Sequence, residues 1–233
     1  MMKRVVSFAT VGVLVFALFA GSVNAVMIDI VNGDFETGSD NDAPPAGWTD
    51  NTPTSFWLGV ADETGNPTQS EWDSAPSDLG SYVLTTARQS AGADSQPTDG
   101  QLVQVVDLSS FAVDIDAGDR WLNVEFFYGS DDYRDTGTFS LIFYDEMDNE
   151  LGSYSVELDA VGESNYAFTG WIETTVGGFV PVSTRSVMLQ IDTTRTSGSE
   201  SNVWVDNITG DLVPEPATML LLSLGAVALR RRK

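Results

Sequence analysis

From Ser81 onward the hydrophobic residues fall in short runs of alternating apolar and polar positions, separated by clusters of Gly, Asp, Asn, Ser and Pro. A period of two sends successive side chains to opposite faces, so each run predicts an antiparallel strand with one face buried. Strands are expected over Ser81–Thr86, Gln101–Asp107, Trp121–Tyr128, Thr138–Tyr144, Glu150–Leu158, Val187–Ile191 and Val203–Ile208. In the third of these, Leu122, Val124, Phe126 and Tyr128 share one face and Asn123 and Glu125 the other. Residues 145–149 read as a hairpin loop, and 65–67 and 92–94 mark longer surface loops. No segment of the body has a convincing helical period, and no internal repeat or inter-domain linker is visible. The pattern predicts an all-β fold: a single antiparallel β-sandwich of roughly eight to ten strands.

The two ends break this pattern. Lys3 and Arg4 precede an apolar stretch from Val11 to Ala20, and Val23-Asn24-Ala25 fits the small-x-small cleavage site of a secretory signal peptide over residues 1–25. At the other end Pro214-Glu215-Pro216 leads into an apolar run, Ala217–Leu229, and then Arg230, Arg231, Arg232 and Lys233. Prolines on both sides of Glu215 oppose continuation of a helix and favour an extended, accessible peptide. The 13 apolar residues make a helix of about 20 Å, short of the ~30 Å hydrocarbon core, so they predict a marginal, transient inner-membrane anchor. The basic cluster is expected to stay cytoplasmic, which places the body outside the cytoplasm. Residues 213–233 closely resemble the PEP-CTERM sorting signal of Gram-negative bacteria, with Pro214-Glu215-Pro216 as its signature. The resemblance implies an exosortase, a membrane-embedded transpeptidase-like protease, as partner, and delivery to the cell surface or to an exopolysaccharide and biofilm matrix.

Composition narrows the chemistry. The chain of 233 residues contains no Cys and no His, which removes disulfides, thiolate and imidazole zinc sites, cysteine nucleophiles and Ser-His-Asp triads. Hydrophobic residues at 42 % are enough for a packed core. Between residues 27 and 212 stand 33 acidic residues against five basic ones, a net charge of −28. Such a field repels phosphate backbones, so no nucleic-acid partner is expected; it attracts cations, and it also keeps an exported protein soluble.

Within residues 27–212 four short patches recur in a telling order: Asn32-Gly33-Asp34-Phe35-Glu36, Gly47-Trp48, Gly80-Ser81-Tyr82 and Val205-Asp206-Asn207-Ile208. Their order and spacing resemble the galactose-binding-like jelly roll of carbohydrate-binding modules. The resemblance implies that the first and last strands lie together and hold a structural calcium ion. The backbone carbonyl of Asp34 and the carboxylates of Glu36 and Asp206 are the matching donors. Calcium takes six to eight oxygens, so loop carbonyls or water would complete the set. The alternative is that Glu36 and Asp206 cap turns or accept backbone hydrogen bonds.

Sugar recognition needs a flat aromatic surface beside polar groups that bind hydroxyls. Trp57 and Trp72, flanking the loop 62–66, and Tyr133 with Arg134 in the loop 129–135 are the candidates, with anchoring of the loops as the competing role. Trp48, Trp121, Trp171 and Trp204 lie in or beside expected strands and read as packing residues. Arg185 and Arg195, at the two ends of the expected strand Val187–Ile191, are placed to pair with carboxylates. A glycosidase would require one carboxylate pair set apart from the rest, and nothing in the chain singles one out. The expectation is an exported, non-catalytic surface or matrix protein with a carbohydrate-binding body, or else a purely structural matrix component.

Overall fold

A computed structural model describes residues 25–39, 42–52, 56–59, 76, 79–86, 99–130, 136–158, 171–195 and 203–214, with Trp57 and Ser130 described by their backbone alone. Eleven strands occur among the described residues: β1 (Val26–Met27), β2 (Thr49–Asp50), β3 (Trp57–Gly59), β4 (Val83–Thr85), β5 (Asp99–Asp107), β6 (Arg120–Ser130), β7 (Thr136–Tyr144), β8 (Glu150–Glu157), β9 (Ile172–Phe179), β10 (Ser186–Thr194) and β11 (Val203–Pro214). The first sheet runs β3-β4-β11-β6-β9, with β1 also on β11; the second runs β2-β5-β10-β7-β8. Among β4 to β11, the first, eighth, third and sixth strands make one sheet and the second, seventh, fourth and fifth the other. That ordering is a jelly roll, in which a long hairpin of paired strands is wrapped around its own core.

The inner faces follow the expected alternation. Leu122, Val124, Phe126 and Tyr128 of β6 are buried, as are Phe139, Leu141 and Phe143 of β7 and Val187, Leu189 and Ile191 of β10. Phe126 and Phe139 stack across the two sheets with ring centroids 4.4 Å apart, which fixes the sheets' spacing at the centre. All seven expected strands are present. Residues 145–149 form the expected hairpin, closed by the Asp145 amide donating to the Asn149 carbonyl at 3.0 Å, with Asp148 at φ 59°.

Three features depart from the expected pattern. A five-residue helix, α1 (Ala112–Asp116), follows a 3-10 turn over Ser109–Phe111 and buries Ile115; it is too short to show a helical period. Strand β9 carries Thr174 and Gly178 where an amphipathic strand would carry apolar residues, and Gly177 on its other face. The glycines have a packing reason: a Cβ on Gly178 would collide with the Tyr154 ring of β8, and one on Gly177 with the Leu122 carbonyl of β6. Finally, the sandwich extends past both expected limits, 27 and 212, because Val26 pairs with Leu212 in β1 and β11 continues to Pro214.

Candidate functional site

The four sequence patches converge into one interlocked cluster. The Asn32 side-chain amide donates to the carbonyls of Thr37 and Ala46, and its oxygen accepts from the Thr37 amide at 2.8 Å. Phe35, fully buried, meets the Trp48 ring at 5.7 Å. Glu36 Oε1 accepts from the backbone amides of Ser81 at 2.6 Å and Tyr82 at 2.8 Å, just before β4. The Ile208 amide donates to the Gly33 carbonyl at 2.8 Å, and Asn207 turns the chain at φ 51° in a bulge between Asp206 and Thr209. Gln104 of β5 completes the lock from the core side: its oxygen accepts from the Val31 amide and its nitrogen donates to the Val31 carbonyl, each at 2.8 Å. The side-chain amide thus pairs with Val31 as a neighbouring strand would.

The calcium candidates lie at this junction. The first and last strands are paired, Val26 with Leu212 and Met27 with Asp211. Beside them a hollow of ≈ 340 Å³ is lined by Asn32, Gly33, Asp34, Asn207 and Thr209, among others. Asp34 and Glu36 are exposed, whereas Asp206 is fully buried and accepts the Asn207 amide at 2.6 Å. Glu36 therefore does cap the turn before β4, and Asp206 does accept a backbone amide. All the donors are hard oxygens and suit calcium in kind, but among the described residues no three acidic side chains group around one point. Most of the ligands would have to be carbonyls or water.

A second surface was not expected from the sequence. On the outer face of the second sheet, Gln101 of β5 lies opposite Asp192 of β10, and Val103 opposite Gln190. Asp192 accepts from Gln101 Nε2 at 2.8 Å and from Gln190 Nε2 at 2.6 Å, and Asn51 Nδ2 donates to Gln101 Oε1 at 2.9 Å. Next along the same face come Val105, Met188 and Ile142, matched across three strands. The face therefore carries a row of amides and a carboxylate, fixed by mutual hydrogen bonds, beside an apolar strip. Part of the signal was available: Gln190 lies in the expected strand Val187–Ile191, and Asp192, one residue beyond it, falls on the same face.

At one end of that face a hollow of ≈ 570 Å³ is lined by Val105, Asp107, Ser109, Asp145, Glu146, Asp148, Arg185 and Ser186. Asp107, Asp145 and Arg185 are engaged locally. Arg185 forms a bidentate pair with Asp116, at 3.1 and 2.8 Å, as its position at the strand end suggested. Hydrogen bonding from Arg185, reinforced by the Ser183 amide, holds the Asp116 carboxyl below its ordinary range. Ser109 does the same for Asp107 and Asn149 for Asp145, while burial followed by the charges of Glu150 and Asp148 raises the Tyr144 phenol.

The remaining expected site residues divide as follows. The Trp57 backbone opens β3 opposite Thr85 of β4, so it belongs to the first sheet. Trp72, Tyr133, Arg134, Glu215, Pro216, Arg230, Arg231, Arg232 and Lys233 lie outside the described residues, as do the expected signal peptide up to residue 24 and the C-terminal apolar segment. Among the described residues no helix is long and apolar enough to cross a membrane. Pro214 is the last residue of β11, paired with Arg120 of β6, where its missing N–H leaves no donor unsatisfied.

By fold, then, the body is a jelly-roll β-sandwich whose last strand leads directly into the tail. Residues 212–233 match the PEP-CTERM protein-sorting motif. That tail marks an exported protein sorted by an exosortase. Comparison with curated proteins gives no match. Among solved structures, the cyclase Fisc from Fischerella sp. TAU is 14 % identical with a TM-score of 0.52, over 83 % of this chain and 100 % of that one. A CBM28 carbohydrate-binding module specific for non-crystalline cellulose is 16 % identical with a TM-score of 0.39, over 77 % of this chain and 92 % of that one. The CBM22-1-GH10 modules of Clostridium thermocellum xylanase 10B, complexed with xylohexaose, are 14 % identical with a TM-score of 0.39, over 80 % of this chain and 28 % of that one. The likeness to the cyclase is one of fold alone, and the chemistry must be argued from this chain's own residues.

Proposed function

We propose that this is a non-catalytic protein of the cell surface or exopolysaccharide matrix of a Gram-negative bacterium. In this reading the Ala217–Leu229 segment and the basic cluster Arg230–Lys233 hold it transiently in the inner membrane, and an exosortase acts at Pro214-Glu215-Pro216. The sorting motif that continues β11 is the observation that carries the reading. The body binds a neutral polysaccharide strand along the outer face of the second sheet. Gln101, Gln190 and Asp192 would meet hydroxyls there, and Val105 and Met188 the apolar side of the sugar. Trp57, Trp72, Tyr133 and Arg134 remain candidates for added contacts.

The test is retention of the exported protein on the host's exopolysaccharide, with Gln101→Ala/Gln190→Ala in one variant and Trp57→Ala/Trp72→Ala in another. Loss of retention in the first variant, with thermal stability kept, is the expected outcome. Retention lost only in the second would move the site to the tryptophans. No retention of the unsubstituted protein at any ionic strength would leave a purely structural matrix role. A structural calcium ion belongs to the same proposal, with the Asp34 carbonyl, Glu36 and Asp206 as oxygen donors that stitch the first strand to the last. EGTA should then lower the melting temperature of the full chain, and an unchanged value would remove the ion.

A further inference from the structure

The first residues of the sorting motif are also the last residues of the folded sandwich. Leu212, Val213 and Pro214 belong both to the matched tail and to β11. In the sheet they face Leu122, Trp121 and Arg120 of β6. On the other side Leu212 and Asp211 face Val26 and Met27 of β1. Leu212 is flanked on both sides, so its N–H and C=O are engaged, while Val213 and Pro214, the latter without an N–H, are held on the β6 side alone. A partner that binds a peptide as an added strand needs those same groups.

Reach makes the conflict sharper. From Pro214 to Ala217, where the apolar run begins, the chain spans at most about 10 Å. An inserted tail would therefore hold the sandwich against the membrane, with no slack to swing the motif into an enzyme. We propose that the fold withholds its own sorting motif: the end of β11 must peel from β6 and β1 before the tail is processed, so the opened end is the exosortase substrate. This rests on the reading that the tail is processed. The opening is graded by what holds it. Strand β1 is two residues long and Met27 is 69 % exposed, so that side releases readily. Leu212 is buried in the core, and Trp121 packs edge-on against Phe179 at 5.1 Å, so the β6 side resists.

A staple tests the proposal in the full chain, expressed in an exosortase-bearing Gram-negative host and followed by pulse–chase for loss of a C-terminal epitope. The protein has no Cys, so Trp121→Cys with Val213→Cys provides one cross-strand disulfide directly behind Pro214. Processing should be about tenfold slower than in the same variant with reductant added, the factor expected when opening costs a few cross-strand contacts. A spacer of about four Gly and Ser residues between Val213 and Pro214 should restore the rate in the stapled variant and raise it about tenfold in the unstapled chain. Equal rates with and without the staple overturn the proposal. If the stapled variant does not fold, the spacer alone decides, and an unchanged rate overturns it. A tail left uncut in every variant, the unsubstituted chain and the spacer chain included, would reject processing itself.

Discussion

The outer faces of the two sheets are built by the same alternation and end in opposite environments. On the first sheet, Trp204 and Asp206 of β11 point away from the sandwich core, since they alternate with Val203 and Val205, which belong to it. Both are nevertheless 0 % exposed. On the second sheet, Val105 is 62 % exposed and Gln101, Gln190 and Asp192 are half-buried. A period of two tells which residues share a face; it does not tell which face is covered. A covered outer face contributes stability, and an open one is available to a partner.

Truncating each face in turn would break or uphold this contrast, and the largest effect falls on the first sheet. Trp204→Ala should cost about 3–5 kcal/mol of unfolding free energy, because it empties a wholly enclosed site. Val105→Ala on the second sheet should stay within about 0.5 kcal/mol. Urea unfolding of both variants measures the pair, and similar losses would mean that the two faces are equally covered.

How much of this was legible in the sequence follows the same division. The strands could be read because β6, β7 and β10 alternate cleanly, and Trp48 and Trp204 are buried as strand position suggested. Strand β9 could not, because its glycines answer to Tyr154 and Leu122, residues distant in sequence. The four patches were visible as an ordered set, yet their role is mutual: Asn32 ties its own loop to Ala46, Glu36 holds the turn at Ser81, and Ile208 meets Gly33. Gln104 lies inside an expected strand, and nothing local reveals that its amide substitutes for a strand beside Val31. The row of amides and a carboxylate on the second sheet depends on register between β5 and β10, which a single strand's pattern does not specify.

The smallest expected effect concerns the charged end of the open sheet, where stabilisation is a surface matter. The carboxyls of Asp116, Asp107 and Asp145 all lie below the ordinary 3.8 in the folded protein, chiefly through Arg185, Ser109 and Asn149 respectively. A folded value below the unfolded one means that the contribution is complete above about pH 4 and is lost as pH falls through the lowered values. Acidification also relieves the mutual repulsion of the body's carboxylates, which acts in the opposite sense. Arg185→Gln separates the two, because it removes the first cause at Asp116 while leaving the other acidic residues in place. The melting temperature of the variant should fall slightly below that of the unsubstituted protein at neutral pH, and the gap should close below about pH 4. A gap that persisted down to about pH 2 would show that Arg185 acts by packing rather than by charge, and would make this end of the open sheet more like the covered face than its exposure suggests.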